Sequence, residues 1–113
     1  MRVTSSLWVG AFVRRAYGEG AIATVVRRGA EEAGTIFIIV DRLAGVADLY
    51  GPAPQSAFEE SQPSDRLFQK LMDGESLDAV SARLEREKRF DSDLWVVAVE
   101  DRAGRTFFET VTA

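Results

Sequence analysis

The stretch that decides the fold is residues 94–99, LWVVAV, which has no polar side chain at any of its six positions. Successive side chains of a strand point to opposite faces of the sheet, so this strand is apolar on both faces and is predicted to lie centrally. Residues 35–40, TIFIIV, form a second β-branched and aromatic run that is too short for a buried helix. These two segments predict a sheet whose faces are both buried.

Two hairpins are predicted beside these strands. Residues 21–28 (AIATVVRR) are mildly alternating, and the glycine-containing turn at 29–34 predicts that they pair with 35–40. Residues 100–104 (EDRAG) predict a second tight turn, with its glycine placed for a positive φ, and 105–111 then return as the last strand.

Two helices complete the architecture. Residues 5–17 carry their apolar side chains along one arc, and 76–89 begin at a serine cap and end in basic residues. Residues 46–50 predict a short strand, 51–65 a long surface loop, and 66–72 a strand in preference to a helical turn. The prediction is one α+β domain over residues 1–113, with a mostly antiparallel sheet of five or six strands and two helices in the order α-β-β-β-(β)-α-β-β.

Composition restricts the chemistry that the chain can perform. Its 113 residues include no histidine and no cysteine, which removes the usual neutral-pH base and all thiolate chemistry. The apolar run at 7–13 is followed directly by Arg14 and Arg15, which is unlike a signal peptide. We therefore expect a cytoplasmic protein with no membrane partner, and no cofactor is evident.

Asp91 and Asp93 are the first candidate site. Two carboxylates in one turn could hold a hard cation such as Mg²⁺ or Ca²⁺, which prefers oxygen ligands. The pair lacks the rest of a calcium-loop pattern, so a solvated turn after a helix is the favoured alternative. Glu100 and Asp101 lie at the far end of the predicted strand and are too distant to complete such a site.

The second candidate site consists of the arginines at the ends of predicted elements, Arg14, Arg15, Arg27 and Arg28. Residues 1–30 hold five arginines against one glutamate, although the whole chain carries a net charge of −4. Guanidinium groups suit phosphates and carboxylates, so these residues could bind an anion or an acidic protein partner. Structural ion pairs are the favoured alternative. Nucleic acid is disfavoured because the chain as a whole is acidic.

The leading functional hypothesis is a non-enzymatic interaction module that contacts its partner through the basic N-terminal region or the 51–65 loop. Two helices are few for both faces of such a sheet, so a homodimer is one way to cover the remaining apolar surface. The alternatives are a metal-binding or small-molecule-binding protein or enzyme that uses Asp91 and Asp93, and nucleic-acid binding through the four arginines.

Several phrases of the chain together resemble a known family. They are 27–29 (RRG) with 33–34 (AG), 49–53 (LYGPA), and 90–97 (FDSDLWVV) leading to 100–102 (EDR). In that order they resemble the alphaproteobacterial family catalogued as domain of unknown function 1491, over nearly the whole chain. Ser92 and Ala98 depart from its pattern, where proline and an acidic residue are more usual, which weakens any metal site that needs a carboxylate at 98. The resemblance implies a bacterial cytoplasmic protein and supplies no catalytic residue.

Overall fold

The structure is a computed structural model that describes residues 3–54 and 66–111. These residues form two helices and one five-stranded sheet, which confirms the α+β prediction. The elements in chain order are α1 (Ser5–Gly18), β1 (Ile22–Arg27), β2 (Ile36–Asp41), β3 (Val46–Pro52), β4 (Phe68–Ser76), α2 (Leu77–Phe90) and β5 (Trp95–Glu100).

The apolar segment 94–99 contributes a central strand, as predicted. The strand order is β1-β5-β2-β3-β4, with β5 antiparallel to β1 and parallel to β2, while the remaining pairs are antiparallel. The side chains of Trp95, Val97 and Val99 join the core beneath α1, whereas Leu94 and Val96 join the core beneath α2. Because β5 is buried on both faces, it takes a position between two other strands.

The predicted hairpin between 21–28 and 35–40 is wrong. Both segments form strands, but β5 lies between them and pairs with each. Residues 30–34 do turn, with Gly34 N donating to Ala30 O at 3.2 Å, but this turn does not join paired strands. Its backbone bonds to α1 and to the residue pair before β5, with Ala30 N donating to Asp93 O at 2.8 Å. Because β5 is apolar on both faces, it is buried best between two other strands. Direct pairing of β1 with β2 would have excluded β5 from that position.

The final strand of the predicted order is also wrong. Within 101–111 the structure has one isolated bridge, between Thr110 and Phe68, and no strand. The carboxylate of Asp101 accepts hydrogen bonds from the backbone N and the guanidinium of Arg105, both at 2.8 Å at the closest. Both edges of β5 are already occupied, by β1 and β2, so the segment cannot pair with β5 and instead crosses the α1 face to bond with Phe68 of β4.

Residues 66–72 contain a strand, as preferred, and β4 continues beyond them to Ser76. The predicted loop at 51–65 is only partly described. Gly51 and Pro52 end β3, and residues 55–65 lie outside the described residues.

The two faces of the sheet are covered unequally. On the α1 face, Val9, Phe12 and Ala16 pack with Phe107 and Phe108, so a helix and the C-terminal segment share the cover. On the α2 face, the buried cover from the described residues consists of Val80 and Leu84 of one helix, and α2 packs over β3 and β4. In the part of the chain that the structure describes, neither helix is long and apolar enough to cross a membrane.

Candidate functional site

The α2 face has a concavity on each side of α2, one of about 330 Å³ beside Phe37 and Leu71 and one between α2 and β1, which we call the α2–β1 groove. It has a volume of about 300 Å³ and an apolar floor formed by Ile39, Leu84 and Val96. Val26 and Arg27 line it from β1, and Glu85 and Lys88 line it from α2. An apolar floor with charged walls is the arrangement found in protein-binding surfaces.

The floor of the groove continues along β1 as an exposed apolar strip. Val26 is 59% exposed and Ile22 is 52% exposed, whereas Ala23, which points to the α1 face of the same strand, is 4% exposed. The register pairs Thr24 with Ala98 and Ala98 with Ile39, so these partly exposed side chains cross the strip in one row. Clustered apolar side chains of this kind mark interaction surfaces, unlike single exposed ones.

One end of the groove is basic. Lys88 pairs with Glu85 at 2.5 Å, and Arg27 and Arg89 lie near the same carboxylate. The hydrogen bond from Lys88, together with the positive charges of Lys88, Arg89 and Arg27, lowers the pKa of the Glu85 carboxyl. Three cations therefore surround one anion at this end, and the cations also complement the C-terminal end of the α2 dipole.

The other end of the groove is acidic. At the start of β1, Ile22 is in register with Glu100, which is in register with Asp41. Asp78 lies in the first turn of α2. The strip thus runs from a basic end to an acidic end over one strand length, which is about 20 Å for six residues.

The four predicted arginines do not form one cluster. Arg14 and Arg15 lie near the end of α1, where Arg15 donates to Phe107 O at 2.9 Å. Arg27 and Arg28 lie one strand length away, at the other end of β1. Arg28 stacks over the indole of Trp95 at 4.9 Å, while Arg27 donates to Ser92 O at 2.5 Å and lines the α2–β1 groove.

Asp91 and Asp93 lie beside Arg27, so the structure brings together two candidate regions that the sequence separates. Asp91 accepts a hydrogen bond from the backbone N of Asp93 at 2.9 Å, which closes its own turn. Asp93 uses its backbone carbonyl to accept from Ala30 N. Among the described residues, no group of three carboxylates is arranged to hold a metal ion.

A backbone clamp fixes this corner of the molecule. A Cβ atom on Gly29 would lie 2.1 Å from Asp93 O, and one on Gly34 would lie 2.6 Å from the same oxygen. The indole Nε1 of Trp95 donates to Ala30 O at 2.8 Å. The phrases RRG with AG and FDSDLW, which carry the family resemblance, therefore contact each other directly, and they fix the position of Arg27 at the groove.

A buried ion pair lies on the α1 side of β3, where no site was predicted from the sequence. Asp48 is 1% exposed and accepts two hydrogen bonds from the Arg42 guanidinium and one from Gly74 N at 2.8 Å. Arg42 also bonds Asp73 at 2.6 Å, and this bond, followed by the charge of Lys70, lowers the pKa of Asp73. The signal was an aspartate inside the apolar strand VADLY, since a buried carboxylate requires a cation.

These features define a class of small α+β protein with a five-stranded mixed sheet, one fully covered face, and an open groove beside a single helix on the other. The chain belongs to the family described as "Protein of unknown function (DUF1491)", whose model matches residues 3–109, which confirms the resemblance. The function of this family is unknown.

Solved structures agree with this assignment. The solution structure of an A. tumefaciens protein is 43% identical, with 88% of this chain and 86% of that chain covered and a TM-score of 0.78. The crystal structure of a DUF1491 family protein from Caulobacter crescentus is 33% identical, with 96% and 99% covered and a TM-score of 0.79. Both organisms are alphaproteobacteria. A search of curated proteins found no match.

Proposed function

We propose that this chain is a non-enzymatic protein-interaction module that works as a single domain in the cytoplasm and binds its partner in the α2–β1 groove. The observation that carries the proposal is the apolar strip on β1, where Ile22 and Val26 are more than half exposed beside an apolar floor. Burying such a strip against a partner stabilises the complex by about 25 cal/mol for each Å² of apolar surface removed from water.

The charge around the groove supports an acidic partner. At one end the groove wall carries Arg27 and Lys88 against Glu85, with Arg89 near the same carboxylate, while Asp91 and Asp93 lie in the adjoining turn outside the groove lining. A partner with carboxylates at this end would gain association rate and specificity from the local field. Arg27 is the member of the predicted arginine set that reaches the groove, and Arg28 lies beside it.

The test is a pair of tryptophan substitutions on α2. Ser81 lines the groove and is exposed, so Ser81→Trp would fill it without removing a buried contact. Ala82 is also exposed, and it lies about 100° further around the helix, away from β1, so Ala82→Trp is the matched control. Random peptides on a display library would be selected on the wild-type protein and then measured on both variants.

We expect the selected peptides to bind the Ala82→Trp protein as they bind wild type, and to lose at least about tenfold in affinity on Ser81→Trp. Peptides that bind both variants equally, or a library that yields no binders, would contradict the proposal. The measurement is the dissociation constant from fluorescence anisotropy of the labelled peptides.

A homodimer is the second candidate, and the edge position of β1 favours it. Among the described residues β1 pairs only with β5, and its sequence IATVVR contains neither lysine nor proline. Edge strands without such residues readily pair with another copy. Sedimentation equilibrium of wild type and Thr24→Lys tests this, because a lysine at the middle of β1 should shift a dimer to monomer. A wild-type protein that stays monomeric at millimolar concentration refutes the homodimer.

A further inference from the structure

The proposed function does not specify whether the bound segment of the partner is a helix or an extended peptide. The width and the apolar floor of the groove favour one of these. Strands lie about 4.8 Å apart and a helix with its side chains is about 10 Å wide, so one helix covers about two strands. Among the described elements α2 packs over β3 and β4, so the part of this face that it leaves uncovered lies over β1, β5 and β2. Three strands span about 14 Å, which leaves room for one helix.

The occupant must satisfy its own backbone hydrogen bonds. The floor of the groove consists of side chains of Ile39, Leu84 and Val96, and none of these offers a donor or an acceptor. An extended peptide lying on this floor would leave backbone N–H and C=O groups unpaired, and each buried unpaired group costs about 1–3 kcal/mol. A helix bonds its backbone internally and needs only an apolar stripe against the floor.

The two charged ends set the direction of such a helix. Helices are stabilised by acidic residues in their first turn and basic residues in their last turn. A helix of this kind matches the groove when its N-terminus lies at Arg27, Lys88 and Arg89 and its C-terminus lies at Glu100 and Asp41. Because α2 begins at the acidic end and ends at the basic end, the partner helix lies antiparallel to α2.

The helix α2 of a second copy has the right charge order but the wrong surface. The residues of α2 that point away from its own sheet include Asp78, Ala82, Arg86 and Arg89, all exposed. Seating this face on Ile22 and Val26 would bury charges against apolar side chains without partners. The occupant is therefore a helix of a different protein.

Resting on the proposed function, we propose that the α2–β1 groove binds an amphipathic helix of about 13 residues from a partner protein, acidic at its N-terminal turn and basic at its C-terminal turn, antiparallel to α2. Apolar residues at i, i+3 or i+4, and i+7 of that helix face Val26, Ile39 and Val96. The length follows from about 20 Å of strip at 1.5 Å per residue.

The probe is a pair of hydrocarbon-stapled peptides of 14 residues with the same apolar stripe. The matched peptide has three glutamates in its first turn and three lysines in its last turn, and the reversed peptide exchanges them. The staple on the outward side keeps both helical. Binding to the ¹⁵N-labelled full chain is followed by NMR at low salt.

We expect the matched peptide to bind at least about tenfold more tightly than the reversed one, with the largest shifts at Val26, Ile39 and Val96. Lys88→Glu should weaken the matched peptide about fivefold and strengthen the reversed one. Arg86→Glu is the control and should change neither, because Arg86 lies about 160° around α2 from Lys88.

Three results would overturn the inference: equal affinity of the two peptides, shifts outside the groove, or no binding of either peptide at millimolar concentration. These results are separable from failure of the proposed function. If library-selected peptides bind in a Ser81→Trp-sensitive way while the stapled helices do not, the helical partner is wrong and the interaction surface stands. If neither class binds, both are wrong.

Discussion

Replacing Gly29 by alanine should destabilise the protein through a backbone collision at the corner that holds Arg27. The added Cβ would lie 2.1 Å from Asp93 O, 2.6 Å from Leu94 C and 2.7 Å from Leu94 O. All three are backbone atoms, so the two segments must separate by at least about 1.3 Å to reach ordinary contact distance. The φ angle of Gly29 is not positive, and the collision alone carries the prediction.

The magnitude follows from what the separation breaks. Overpacking of this kind costs about 1–3 kcal/mol. The hydrogen bonds from Ala30 N to Asp93 O and from Trp95 Nε1 to Ala30 O, both at 2.8 Å, weaken with it at about 1 kcal/mol each. We expect a loss of about 2–4 kcal/mol, or about 8–16 °C in Tm at about 4 °C per kcal/mol.

Urea and thermal unfolding, followed by tryptophan fluorescence and circular dichroism, would measure this loss. Gly18→Ala is the control, because Gly18 ends α1 and a Cβ there meets nothing within 4 Å. That variant should be neutral or stabilising by up to about 1 kcal/mol. The reasoning is refuted if Gly29→Ala unfolds within about 0.5 kcal/mol of wild type.

Three further predictions concern buried polar contacts. Arg42→Ala should lower the free energy of unfolding in urea by about 2 kcal/mol, because it leaves the buried carboxylate of Asp48 without its cation. Adding Asp48→Asn should recover part of this loss, and no recovery would argue against the ion pair as its cause. The hydrogen bonds from Arg105 lower the pKa of Asp101, so its stabilisation is present above pH about 4 and is lost as the pH falls through the lowered value. The Asp101→Asn variant should flatten that acid limb in a pH series of Tm, and an unchanged slope would contradict it. Trp95→Phe removes the donor to Ala30 O and the ring beneath Arg28, and should cost about 2 kcal/mol by the same urea assay, with a loss below about 0.5 kcal/mol as the contrary result.

The sequence could predict which segments become helices and strands because those signals are local. Residues 76–89 have a serine cap, a charged first turn and an apolar stripe, and α2 occupies Leu77–Phe90. Residues 94–99 are apolar on both faces, and β5 is a central strand for that reason. That residues 94–99 would be buried follows from their own composition and requires no knowledge of the neighbouring strands.

Strand pairing could not be read in the same way, because it depends on segments distant in the chain. The turn at 29–34 contains two glycines and suggests a hairpin. In the structure those glycines allow a close approach to Asp93, which is about sixty residues away in the chain. A glycine required by a distant backbone and a glycine required by a local turn look the same in one sequence.

The charged residues of the candidate surface could be predicted from the sequence, but their arrangement could not. Arg27 and Asp91 could each be selected from local charge, yet their meeting at one corner depends on β5 pairing with β1. The groove floor was not visible, since Ile39, Leu84 and Val96 come from three separate elements. The exposed alternation of Ile22 and Val26 in β1 was a usable signal, because apolar side chains on both faces of an edge strand require a second cover.

The missing last strand and the open groove have a common origin in the C-terminal segment. Because Asp101 turns the chain at Arg105, the following residues cross the α1 face and bring Phe107 and Phe108 against α1, before residues 109–111 bond to Phe68 of β4. The α1 face thereby gains a second cover, whereas α2 is the one cover of the other face among residues 3–54 and 66–111. Five strands need about two helices' width of cover on each face. The apolar strip on β1 is therefore left exposed by the described elements. A partner that binds there gains the most free energy from burying apolar surface.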